Sequence, residues 1–115
     1  MVKMTKTRAR PTASQGDVWW VDLDPTRGRE QRGRRPAVVV SVDHLNHGPA
    51  ELVFVVPITS KEKGIPFHVR TAGHGFAKCE DTRSISTERL LNRKGRISSG
   101  EMAQIRDVLR MLLGL

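Results

Sequence analysis

The chain has 115 residues, enough for one domain with one modest core and too few for a second catalytic or regulatory unit. Lysine and arginine number 20 against 12 aspartate and glutamate, a net charge of +8 weighted toward arginine, whose planar fork grips phosphate and so favours a polyanionic partner over charge for solubility alone. Cys79 is the only cysteine, no apolar run is long enough to span a bilayer, and the N-terminus lacks a secretory apolar stretch, so a reducing, cytoplasmic setting is expected.

Residues 1–15, with Lys3, Lys6, Arg8 and Arg10 among small and polar residues, read as a flexible basic arm. Such an arm is either a solvated tail or a source of non-specific phosphate affinity. A single domain is expected over 16–115. Val18–Leu23 is a strand, and Asp24-Pro25-Thr26 is turn chemistry. A polar, glycine-containing loop follows from Arg27 to Arg34. Pro36–Val42, around Ala37-Val38-Val39-Val40, predicts a buried strand. After a loop at 43–50, Leu52–Val56 is a second buried strand that Pro57 should end. Phe67–Arg70 is a short strand, Gly73-His74-Gly75 a turn, and Ala77–Ser86 one irregular strand; a helical turn fits Thr87–Leu91. Ser98 and Glu101 have capping-box spacing, and Met102, Ile105, Val108, Leu109 and Leu112 recur at helical intervals. An amphipathic helix over about 99–113 is predicted. The fold class is mainly β with helices (α+β), a small curled β-barrel closed by a C-terminal amphipathic helix.

Arg27, Arg29, Arg32, Arg34 and Arg35 lie together between two predicted strands, with Gly28 and Gly33 to let the loop turn and a ligand backbone approach. The pattern suits a phosphate chain better than a small ligand; the bland alternative is a solvated charged loop.

The run from Gly16 to Ser41, with Glu30-Gln31-Arg32-Gly33-Arg34-Arg35-Pro36 at its heart, resembles the opening of the MazF/PemK family of toxin endoribonucleases from bacterial toxin–antitoxin pairs. The likeness continues through Val56–Ser60, Gly64–Phe67, Cys79–Ser86 and the final helix, so it covers nearly everything after the arm. It implies the PemK/CcdB type of fold, a homodimer, and metal-independent, sequence-specific cleavage of single-stranded RNA such as mRNA. It also implies an acidic antitoxin of the MazE type that occupies the RNA groove. No cofactor is expected, and no membrane partner. On matching positions, Arg35 and Thr59 are catalytic, and Glu30 falls where a glutamate assists in some members. The RNA-binding candidates are Arg29, Gln31, Arg32 and Arg34 of the loop, with Ser60, His68, Arg83 and Ser86.

The chemistry is coherent at residue level. Metal-free cleavage uses the neighbouring 2′-oxygen as nucleophile and yields a 2′,3′-cyclic phosphate and a 5′-hydroxyl. A guanidinium at Arg35 suits the charge that builds on phosphorus, and the Thr59 hydroxyl can donate to the same phosphate. Arginine is a poor proton acceptor, so Glu30 is the candidate base, or else it only fixes the loop by pairing with a neighbouring arginine. His44, His47 and His74 lack partners or metal-ligand spacing. His68, on a short strand after the Lys61–Gly64 loop, is either an RNA contact or a plain surface residue. Arg83 and Ser86 are RNA contacts or, for Arg83, a salt-bridged strand residue. Trp19 and Trp20 are adjacent in a strand, point to opposite faces, and are expected in core or dimer interface. Cys79 reads as structural. Two other functions fit such a scaffold: a gyrase poison like CcdB, which relies on a tryptophan near the extreme C-terminus that this chain lacks, and a non-catalytic nucleic-acid-binding barrel.

Overall fold

The computed structural model describes residues 12–25 and 27–115. The proposed arm up to Pro11, and Thr26 of the predicted turn, lie outside the described residues. Seven strands and two helices follow in order: β1 (Asp17–Asp22), β2 (Arg34–Val39), α1 (Asp43–Asn46), β3 (Leu52–Thr59), β4 (His68–Thr71), β5 (Gly75–Lys78), β6 (Arg83–Ser86), β7 (Leu90–Arg96) and α2 (Ser99–Leu113). Every pairing is antiparallel, in the order β4-β5-β3-β2-β1-β7, with β6 also paired to β3.

The class is as expected, mainly β with helices, but the sheet does not close into a barrel. β4 and β5 are four residues each and pair only with each other and with the last two residues of β3. That ladder is too short to carry the sheet round to β7.

β3 runs through Pro57, against the expectation that proline ends it. The Val40 N–H bonds the Phe54 carbonyl at 2.9 Å, which turns the backbone of alternate residues Phe54, Val56 and Ile58 toward β2. Pro57 therefore faces the other edge, where β6 has stopped at Val55↔Arg83 and β5 begins only at Ile58↔Ala77. No partner there asks for the missing N–H. The expected single strand over Ala77–Ser86 is two strands, because the 3-10 turn Cys79–Asp81 redirects the chain between them.

Alternation along the strands gives two cores. Trp19, Val21, Leu23, Ala37, Val39, Val53 and Val55 cluster on one face. Val18, Val38, Val56 and Ile58 cluster on the other, covered by Met102 and Ile105 of α2. Trp20 is half-buried on the face opposite Trp19. Cys79 is sealed in the second core, where burial pushes its thiol up to about 12, in keeping with a structural role. Asp17 is a buried hub: it accepts from the Ser14 N–H at 2.9 Å and from Arg96 at 2.8 Å. Ala13 is fully buried and Gln15 bonds Asp43 and Val40. Ala13, Ser14 and Gln15, read from the sequence as part of the arm, are thus held against the folded unit.

The capping box of α2 is formed in both directions: Ser98 Oγ accepts from the Glu101 N–H at 3.1 Å, and Glu101 accepts from the Ser98 N–H at 2.9 Å. Glu101 also accepts the Ala72 N–H at 2.7 Å, tying the helix to the β4–β5 turn. These backbone donors, Ser98 first and Ala72 second, hold the Glu101 carboxyl below its ordinary value. The sign follows: the carboxylate's stabilisation is present above the ordinary glutamate range and is lost as pH falls through the depressed value. Ser98→Ala is expected to cost about 1 kcal/mol in urea melts. Glu101→Gln should be less stable than the parent at neutral pH, and that gap should shrink as melts are taken into acid.

Candidate nucleic-acid interface

The arginine loop joins β1 to β2, and its ends continue their ladder: the Leu23 N–H bonds the Gly33 carbonyl at 2.9 Å. Gly28 and Gly33 have φ of 60° and 77°, a backbone region that β-carbons disfavour. Three carboxylates then fix the loop, each by its backbone. Asp24 accepts from the Gly33 N–H at 3.0 Å, Glu30 from the Arg27 N–H at 2.6 Å, and Asp81 from the Gln31 N–H at 2.8 Å. Lys78 donates to the Arg29 carbonyl at 2.9 Å from across the groove. Among the described residues, none of Arg29, Arg32, Arg34 and Arg35 is ion-paired. Their guanidinium groups remain for an outside anion.

The loop forms one wall of a groove of about 590 Å³, lined by Arg29, Glu30, Gln31, Lys63, Ile65, His68, Lys78, Glu80 and Asp81. Four of the anticipated site residues meet here: Arg29, Glu30, Gln31 and His68. His68 is no plain surface residue, for its side chain is only 2% exposed and Nε2 lies 2.9 Å from Glu80.

Arg35 and Thr59 do not line this groove. They are related through the β2–β3 ladder instead. Its pairs run Val39↔Val55, Val38↔Val56 and Ala37↔Pro57 and end there, two residues short of Arg35 on β2 and of Thr59 on β3, which alternation puts on the same face as Ala37 and Pro57. Arg35 is half-buried and its Nε donates to the Arg32 carbonyl at 3.1 Å. Thr59 is 8% exposed, and its Oγ1 accepts the Lys61 N–H at 3.3 Å, leaving the hydroxyl proton to donate elsewhere. Arg32, bonded to the Gly28 carbonyl, and Arg34 are exposed at the loop's margin, outside the groove.

Three further residues are placed differently from expectation. Ser60 borders a separate hollow of about 350 Å³ with Arg70, Thr71, His74 and Phe76. Ser86 caps the 3-10 turn Thr87–Arg89 by accepting the Glu88 N–H at 3.2 Å, which is a structural role away from the groove. Arg83 is the salt-bridged alternative: it donates to Asp81 at 2.7 Å and to the Gln31 carbonyl at 3.2 Å, and its side chain is 18% exposed. Lys78, Glu80 and Asp81 were not singled out as site residues. Their alternation along an irregular segment carried no signal, because the bond from Asp81 to Gln31 spans 50 residues. Among the described residues no three His, Cys, Asp or Glu side chains are grouped to hold a metal ion, and no helix is long and apolar enough to cross a membrane.

The model of the PemK-like, MazF-like toxins of type II toxin–antitoxin systems matches residues 14–113. The chain belongs to this family. It is 44% identical over 113 residues to endoribonuclease MazF9 of Mycobacterium tuberculosis, covering 88% of this chain and 96% of that one. It is 36% identical over 110 residues to the endoribonuclease toxin MazF of Escherichia coli K12, covering 92% and 98%. Among solved structures, MazF from Deinococcus radiodurans superposes with a TM-score of 0.83 at 30% identity, covering 94% of this chain and all of the other. A MazE–MazF complex from the same organism gives 0.78 at 31% identity, covering 91% and 98%.

Within this toxin fold the Asp81 clamp sets the position of the arginine loop. Asp81→Ala leaves the partly buried Arg83 without its counter-charge and is expected to destabilise the protein by about 3 kcal/mol. A double-mutant cycle with Arg83→Ala measured by chemical denaturation should show strongly non-additive losses; simple additivity would mean the two side chains do not act as a unit.

Proposed function

We propose that the chain is an endoribonuclease toxin that cuts single-stranded RNA in the cytoplasm at short sequence motifs, without a metal, and is silenced by an acidic antitoxin of the MazE type. The observation that best supports this reading is that the paired strands β2 and β3 carry Arg35 and Thr59 just beyond their last pair, Ala37↔Pro57, in a molecule whose main groove bears Arg29, Lys63 and Lys78 among its lining. Its relatives named above are endoribonucleases, which supports the same conclusion.

The reaction balances without a cofactor. The ribose 2′-oxygen attacks the adjacent phosphorus as its proton passes to a base, the bond from phosphorus to the 5′-oxygen breaks, and that oxygen takes up a proton. Arg35 stabilises the charge on the equatorial oxygens with a cation that persists at working pH, and the Thr59 hydroxyl donates a second bond. Glu30 is the proposed base. One of its oxygens is held by the Arg27 N–H, and the residue is exposed at the groove wall. Arg29 and Lys63 at the groove, with Arg32 and Arg34 at the loop margin, supply phosphate affinity. The same cations suit an acidic antitoxin segment, which would compete with RNA for the groove.

A homodimer completes the proposal. α2 covers Val56 and Ile58 of β3 but leaves Leu52 and Phe54 of the same face exposed, 40% and 45%. Phe54 borders apolar hollows shared with Leu109, Leu113 and Leu115. A continuous apolar surface of this kind fits a self-complementary contact.

Labelled RNA incubated with the purified protein in EDTA should yield fragments with 2′,3′-cyclic phosphate ends. Arg35→Ala should lose at least about a hundredfold in rate with its melting curve intact, and Thr59→Val should fall more in kcat than in RNA affinity. Cutting at near parental rate by Arg35→Ala would reject the assignment. In sedimentation velocity, the parent should run as a dimer and Phe54→Asp as a folded monomer; identical sedimentation would place the dimer contact elsewhere.

A further inference from the structure

The groove is lined by three carboxylates, and two of them brace the arginine loop, one of these being the proposed base Glu30. Glu30 accepts from the Arg27 N–H, and Asp81 accepts from both Gln31 and Arg83. Glu80 differs. It projects from the 3-10 turn Cys79–Asp81 with its side chain 31% exposed. Its partner among the described residues is His68, whose Nε2 stands 2.9 Å from Oε2.

The chemistry of that pair fixes its orientation. A carboxylate only accepts, so the His68 Nε2 carries the hydrogen. His68 Nδ1 is buried with no partner among the described residues. As a bare ring nitrogen it is an unsatisfied acceptor, which is less costly than an orphaned buried N–H. The imidazole, almost wholly buried, therefore acts as a fixed donor that holds Oε2. The second oxygen, Oε1, has no hydrogen-bond partner among the described residues, and Glu80 is part of the groove lining.

A single carboxylate oxygen contributes nothing to phosphate binding, which falls to Arg29 and Lys63. It needs an N–H. Adenine, cytosine and guanine offer one as an exocyclic amino group. Uracil has none, and flanks its one ring N–H with two carbonyls that a carboxylate repels. We propose that Glu80 is a specificity-determining residue that selects a base bearing an exocyclic amino group over uracil at one position of the RNA, and that His68 is the positioning residue that aims it. This rests on the endoribonuclease reading and names a determinant of its sequence preference.

The test is cleavage of a randomised single-stranded RNA pool by the full-length protein, with the fragment ends sequenced. The parent should deplete uracil about tenfold or more at one position near the cut, the range one good base contact supplies. In Glu80→Gln, the His68 N–H holds the amide oxygen and turns the amide NH2 into the groove. That donor suits the uracil carbonyl, so preference at the same position should swing toward uracil while other positions stay fixed. Glu80→Ala and His68→Phe should flatten the choice there without reversing it, and thermal melts confirm that each variant folds. An unchanged profile in folded Glu80→Gln overturns the proposal. So does an equal loss of cutting for all sequences, which would make Glu80 part of the chemistry or a contact to the 2′-hydroxyl. A parent that cuts with no uracil depletion anywhere also overturns it. A parent that cuts no RNA at all instead defeats the nuclease reading beneath it.

Discussion

The arginine loop depends on carboxylates that bind its backbone and leave its guanidinium groups alone. Five arginines within nine residues repel one another, and a loop of that charge left to itself would spread into solvent. Pairing each guanidinium with an acid would quiet the repulsion and abolish the binding surface. Asp24, Glu30 and Asp81 solve both problems, because each accepts a main-chain N–H of the loop. Each brings a negative charge to the loop, yet the bond it makes there is to the backbone of Gly33, Arg27 or Gln31. Asp81 has the largest share, since Arg83 bonds it and also closes onto the Gln31 carbonyl. The loop is thereby fastened to the far side of the groove it borders, and the groove has a defined width before any ligand arrives.

How much of this was legible depends on whether the signal was local. α2 was legible end to end, because Ser98, Glu101 and the apolar stripe all act within one helix. β1, β2 and β3 were legible as apolar runs, each with shifted ends. β2 begins at Arg34 because its ladder with β1 extends through Asp22↔Arg34, a pairing that polar residues conceal. β7, Leu-Leu-Asn-Arg-Lys-Gly-Arg, was missed: most of its side chains face solvent, and it is a strand because β1 supplies the partner. Pro57 inside β3 could not be foreseen either, since its tolerance rests on a gap between two other strands. The same holds at the site. Arg29 is legible in the loop's composition, and Glu30 and Gln31 only through the family resemblance. The Asp81 clamp and the His68–Glu80 pair join residues far apart in the chain, and neither has a spacing to read. Ser86 and Arg83 fall at contact positions of the motif, with a salt bridge as the alternative for Arg83; Ser86 caps the turn Thr87–Arg89 and Arg83 pairs with Asp81.

β3 arranges what the function needs. On one edge it faces β2, and their ladder ends at Ala37↔Pro57, two residues short of Arg35 and Thr59, the proposed cutting pair. On the other edge it faces β6 and then β5, and between those two strands the chain makes the turn that carries Glu80 and Asp81. Pro57 lies at this changeover, where one neighbour has ended and the next has not begun. Removing the N–H there makes the interruption of the ladder free of an orphaned donor, so the turn can leave the sheet and reach the loop. The proposed cutting pair and the proposed base-reading carboxylate are thus set by opposite edges of one strand. Their separation is fixed by a stretch of backbone whose side chains are among the most buried in the molecule. That rigidity matters for the chemistry proposed: a base contact can dictate which phosphate is cut only if the distance between the two does not drift. A change in β3 that keeps its volume but loosens its packing should therefore blur sequence choice before it lowers stability much, because the spacing is lost sooner than the fold.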